Sequence, residues 1–214
     1  MRFGFRLSFT VVRLLFLGGC AASSSDDVEA NDSADITSTS KVFASAFYVK
    51  STPIDQSSLG VVVVDGVAFA PGARSQQLPK ITGFDHKPLP ELPTKRVKVG
   101  ALGFDVIVGD TGRPAAPTFD ASGLHVGMKC KVIGTDMDMY AAGEPQKITL
   151  DVTIERLTPL VLTKSTKSTG GDGTLLVCDG KLAGIQSGAG SQGTYHEFRA
   201  IDAELLAAFD GAKR

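Results

Sequence analysis

The sequence predicts an all-β body that closes on one short helix. Three observations carry this expectation. The 24 glycines outnumber every other turn former. Short runs rich in Val, Ile and Thr alternate with turn residues from residue 42 onward. Helical periodicity is nearly absent before the last dozen residues. The chain has 214 residues, 43% hydrophobic and 21% charged, which is enough for one or two compact domains. A net charge of −1 leaves no basic footprint, so nucleic acid is not an expected partner. No apolar run reaches the roughly 18 residues that a spanning helix needs.

The first 19 residues read as an address. Arg2 and Arg6 precede an apolar stretch, interrupted by Arg13, that ends in small residues, the pattern of a secretory signal peptide. Leu17-Gly18-Gly19-Cys20 resembles a bacterial lipobox, which implies lipidation at Cys20, a membrane anchor and a place in the bacterial cell envelope. A plain signal peptide with an incidental cysteine is the other reading. Residues 20–41 are rich in Ser, Thr, Asp and Ala and read as a flexible tether. Without Arg2, Arg6 and Arg13 the chain holds 19 basic and 23 acidic residues. The tether's five acids and Lys41 then leave 18 of each sign from residue 42 onward. The globular part is neutral.

In an exported protein, Cys130 and Cys178 remain as one even pair once Cys20 is assigned to lipid. Such a pair reads as a disulfide rather than a metal site. No metal and no cofactor is expected. Asp136-Met137-Asp138 lacks the further ligand spacing of a calcium loop and reads as a solvated turn.

Along the body, Val42–Val49 alternates loosely. Val61–Val64 and Val67–Ala70 flank Asp65-Gly66, a strong two-residue hairpin signal. Lys95–Val99 and Phe104–Val108 flank a four-residue turn, Gly100–Gly103. The Gly- and Pro-rich stretch Thr111–Pro117 reads as a connector, dividing the body into residues 42–115 and 116–214. Strand-length segments follow at Lys129–Ile133, Ile148–Ile154, Leu160–Thr163, Leu175–Val177, Leu182–Gln186 and Tyr195–Ala200. Ala203–Phe209 is helical in pattern, with Asp202 as N-cap and Gly211 as stop.

Residues 170–188 read Gly-Gly-Asp-Gly-Thr-Leu-Leu-Val-Cys-Asp-Gly-Lys-Leu-Ala-Gly-Ile-Gln-Ser-Gly. This resembles the nucleophile segment and following cleft strand of trypsin/chymotrypsin-like serine proteases, Gly-Asp-Ser-Gly-Gly-Pro-Leu-Val-Cys and then Gly-Ile-Val-Ser-Trp-Gly. Gly193-Thr194-Tyr195 resembles the family's Gly-Val-Tyr. Gly127 to Gly134, around Cys130, resembles the strand whose cysteine the family pairs with the one ending Leu-Val-Cys. The resemblance implies a two-barrel trypsin-like architecture with a terminal helix. It implies a substrate cleft lined by Ser187, Gly188 and Ala189, and an oxyanion turn at Gly170.

It also implies a degenerate triad. The nucleophile position holds Asp172, and the aspartate that family members pair with a freed N-terminus is Gly171. Val67 to Ala73 resembles the histidine segment with Gly72 at the base position, and Phe104 to Val108 places Asp105 at the aspartate position. Acyl transfer needs a hydroxyl, a base and an orienting acid, and this register supplies only the last. None of His86, His125 and His196 follows an Ala-Ala step, and all three read as surface residues. A second register, with inserted residues, places Ser168 or Thr169 as nucleophile. The implied function is an inactive, trypsin-like envelope lipoprotein that binds a peptide or protein in its remnant cleft. The alternatives are an active endopeptidase with displaced triad residues and a purely structural envelope domain.

Overall fold

A computed structural model describes residues 32–51, 56–64, 67–71, 80–83, 93–136, 146–166, 170–186, 191–192 and 194–212. The described chain begins with a helix, α1 (Asp32–Ser45). Six strands follow: β1 (Ala46–Ser51), β2 (Gln56–Val64), β3 (Val67–Pro71), β4 (Lys80–Gly83), β5 (Thr94–Val99) and β6 (Leu102–Val108). They make an antiparallel sheet in the order β4-β1-β2-β3-β6-β5.

The second sheet holds β7 (Lys129–Asp136), β8 (Gln146–Arg156), β9 (Val161–Ser165), β10 (Gly170–Cys178), β11 (Lys181–Ile185), β12 (Ser191–Gln192) and β13 (Tyr195–Ala200). Its order is β11-β10-β7-β8-β9-β13-β12, and a further β11–β13 pairing closes it into a barrel. Helix α2 (Ala203–Gly211) ends the described chain, with the Asp202 carboxylate accepting from Leu205 N–H as the sequence predicts.

The expected hairpins form. Val64 faces Val67 across the β2–β3 turn. The β5–β6 turn is tighter than predicted: Val99 faces Leu102, leaving Gly100-Ala101 as the whole loop. Gly100 has φ 59° at its first central position, where a two-residue hairpin turn favours glycine.

Two expectations give way at the start. The stretch 20–41 was expected as tether, yet it is helical from Asp32, and Val42–Ser45 continues that helix rather than opening a strand. Thr39 and Val42 are buried, and α1 packs against β2 and β11, so its contacts override a Ser/Thr-rich sequence with poor helix propensity. The signal segment, Cys20 and the rest of the tether lie outside the described residues.

One apolar core joins the two sheets. It includes Val42 of α1, Val61, Phe69 and Phe104 of the first sheet, Ile133, Leu175 and Ile185 of the second, and Phe209 of α2. The connector is stitched to both sides: Ala116 N–H donates to Val62 O, and Leu182 N–H donates to Pro117 O, each at 2.8 Å. A separate core fills the second barrel, with Val132, Val152, Ile154, Leu176 and Phe198 around Cys130 and Cys178.

Candidate functional site

β10 carries both the nucleophile-like segment and one half-cystine. Cys130 and Cys178 form the predicted disulfide, with Cα atoms 4.5 Å apart across β7 and β10. Further along the same pair of strands the ladder breaks. Gly170 faces Thr135 while Leu175 faces Ile133, so residues 171–174 stand opposite Gly134 alone. This wide bulge holds the backbone of Asp172. Bulges lift a segment out of the ladder and re-aim its side chains, so the resemblance places Asp172 where the backbone is locally freed from pairing.

The resemblance also names Asp105, on β6, and the structure gives it an occupied carboxylate. Arg96 stands directly across β5–β6 from it. Its Nε donates to Oδ1 at 3.0 Å and its Nη2 to Oδ2 at 3.3 Å. Asp105 is 8% exposed, and the hydrogen bond and the charge of its carboxylate together raise the Arg96 pKa above its ordinary value. The tight turn explains why the sequence reading missed this pair. A four-residue turn would set Lys98 opposite Asp105, whereas the observed two-residue turn sets Arg96 there.

The remaining candidates divide. Gly72, Ser187, Gly188 and Ala189 lie outside the described residues, as do His86, Ser168 and Thr169. Gly170 opens β10. His125 is exposed, its Nδ1–H donating to Val126 O at 3.1 Å. His196 contradicts the surface expectation: it is fully buried inside the second barrel, 3.2 Å from Ser165 Oγ. The sequence could not pair these two, because β9 and β13 meet only through the barrel's register.

Their hydrogen bonding is informative. Ser165 Oγ also lies 3.3 Å from Thr194 O, a group that can only accept. A hydroxyl has one proton. That one proton can go to Thr194 O, with Nε2–H of His196 donating to Ser165 Oγ, or to Nε2, so the serine hydroxyl has a competing acceptor beside the imidazole.

The strands of the second sheet also carry the buried polar residues Thr163, Ser165, Thr174, Gln186 and His196. Gln186 N–H donates to Thr174 O at 2.9 Å, next to the β10 bulge that holds the backbone of Asp172. A groove of about 480 Å³ along β7, β8 and β9 is lined by Lys129, Asp151, Glu155 and Lys164 together with Cys130 and Ser165.

Neither a protein-family model nor a curated protein matches the chain. Among solved structures it is similar to Rv3671c from M. tuberculosis H37Rv, a trypsin-like serine protease captured as a serine-to-alanine mutant in an inactive form. The TM-score is 0.62 at 13% sequence identity, over 90% of this chain and 98% of that one. At that identity the likeness speaks for the fold alone. The chain has the all-β, trypsin-like fold, with a short helix at its end.

Proposed function

We propose that this protein is a catalytically inactive member of the trypsin-like group, an exported lipoprotein anchored at a bacterial envelope through Cys20, that binds a peptide or protein in its remnant cleft. The observation that carries the reading is the Arg96–Asp105 clamp. Arg96 gives one N–H to each oxygen of the carboxylate at the orienting-acid position, so that carboxylate serves an ion pair within the first sheet. The sequence register supports the same conclusion at the other two positions, with Gly72 for the base and Asp172 for the nucleophile.

A second reading, an active peptidase with displaced residues, draws on the Ser165–His196 contact. It is disfavoured by the same geometry. Both residues are buried at 7% and 0% exposure, and the serine proton has Thr194 O as an acceptor.

The test is labelling of the purified chain with a serine-directed phosphonylating probe, followed by peptide mass spectrometry. No adduct and no peptide hydrolysis are expected, and Asp172→Ser alone should not restore either, because triad members act as a unit. A stoichiometric adduct on Ser165, Ser168 or Thr169 overturns the inactive reading.

A further inference from the structure

The charges along β7, β8 and β9 are only partly paired. Lys131 Nζ meets Asp151 Oδ1 at 3.2 Å, and Arg156 Nη2 meets Glu197 Oε1 at 3.0 Å. Lys129, Glu155 and Lys164 are exposed and make no ion pair among the described residues. All three line the groove of about 480 Å³, a volume within the range of ligand sites. Register sets two of them around a hydroxyl. Lys129 faces Thr153 across β7–β8, Thr153 faces Lys164 across β8–β9, and Lys164 faces Tyr195 across β9–β13. Their chain neighbours Cys130, Val152, Ser165 and His196 are buried, so these four side chains project together on the opposite face. Adjacent strands lie about 4.8 Å apart, which puts the two lysines about 10 Å from each other with Thr153 midway. At the end of the row Lys164 Nζ lies 5.7 Å from the centre of the Tyr195 ring, which is itself exposed.

We propose that this face docks an extended peptide segment in which an acidic and a basic side chain stand two residues apart. An extended chain repeats its side-chain direction every second residue, about 6.8 Å, which is also the spacing of Thr153 and Glu155 along β8. A carboxylate over Thr153 accepts from both lysines and from the threonine hydroxyl, and a cation one repeat further meets Glu155. A wholly acidic segment sets a carboxylate against Glu155, and a wholly basic one sets an ammonium between two lysines, so both are repelled. Tyr195 gives the segment an apolar ring to pack on. The proposal goes beyond the cleft reading and does not depend on it.

The experiment uses the full chain in detergent and labelled, end-capped octapeptides of Ser, Gly and one Leu. They differ at two positions two residues apart, which hold Glu with Lys in either order, Glu with Glu, Lys with Lys, or Ala with Ala. Binding is read by fluorescence anisotropy. The Glu/Lys peptides should bind about fivefold more tightly than the others, the effect of two exposed charge contacts. Raising salt from about 50 mM to about 0.5 M should remove the difference. Lys129→Gln combined with Lys164→Gln should abolish the preference, and Glu155→Lys should transfer it to the Glu/Glu peptide. These exposed substitutions should leave the melting temperature unchanged, so a lost preference is not lost folding. Binding without charge preference, a preference for a single sign in the unmodified protein, or a Glu/Lys preference that survives Glu155→Lys overturns the proposal. Absence of binding by every peptide overturns it as well.

Discussion

The ring of Phe209 stacks on that of Phe69 with centroids 4.2 Å apart, and Phe104 meets both edge-on at 5.5 and 5.9 Å. Phe209 belongs to the helix that follows the second sheet, whereas Phe69 and Phe104 belong to the first. Lys95 of β5 also donates to Ala212 O at 2.9 Å, beyond the helix end. The last helix therefore fastens one sheet to the other, and its loss is felt by both.

Phe209→Ala should cost about 3–5 kcal/mol, the range for removing a fully buried aromatic ring. Amides of β3 and β6 should lose hydrogen-exchange protection together with those of β10. Loss of protection confined to α2 would show that the stacked rings do not couple the sheets.

Arg96→Met should destabilise the fold by about 1–2 kcal/mol in urea denaturation. It leaves the Asp105 carboxylate buried without its partner, and the cost is held down because the Arg96 side chain is half exposed. Adding Asp105→Asn should recover part of the loss. Strict additivity of the two changes would mean that the clamp contributes nothing.

Asp202 predicts a specific acid limb. Burial acts to raise its pKa, but the hydrogen bonds from Leu205 N–H and Arg199, with the arginine's charge, outweigh burial and hold it below the usual value. A carboxyl whose folded pKa is depressed adds stability that is complete above its unfolded pKa of about 4. That stability is lost as pH falls through the lower folded value. Asp202→Asn should keep the cap's acceptor yet flatten stability against pH below about 4. Asp202→Ala should cost about 1 kcal/mol at neutral pH as well. An unchanged acid limb in Asp202→Asn would assign the limb to other carboxyls.

Replacing both cysteines, Cys130→Ala with Cys178→Ala, should lower stability by about 4 kcal/mol in the chain-entropy model for residues 48 apart. The intact bond is 5% and 0% exposed at its two residues, so reduction should require prior unfolding. Rapid reduction by a mild thiol under native conditions would contradict that burial.

The strands were legible because turn chemistry and apolar alternation act locally. Asp202 and the cap of α2 were legible for the same reason. Helix α1 was not, since its Ser- and Thr-rich sequence becomes helical through Val42 and its neighbours packing on β2 and β11. The disulfide could be read from parity and context. Arg96 could not, because a two-residue difference in turn length changes which side chain faces Asp105. Ser165 and His196 come together only through the pairing of β9 with β13, so no local pattern announces them.

The position of α1 sets how the molecule bears load. Its partners are one strand from each sheet, and Arg113 of the connector donates to Ala44 O near its C-terminal end at 3.2 Å. Tension applied upstream of Asp32 enters through this helix and is divided between both sheets and their linker.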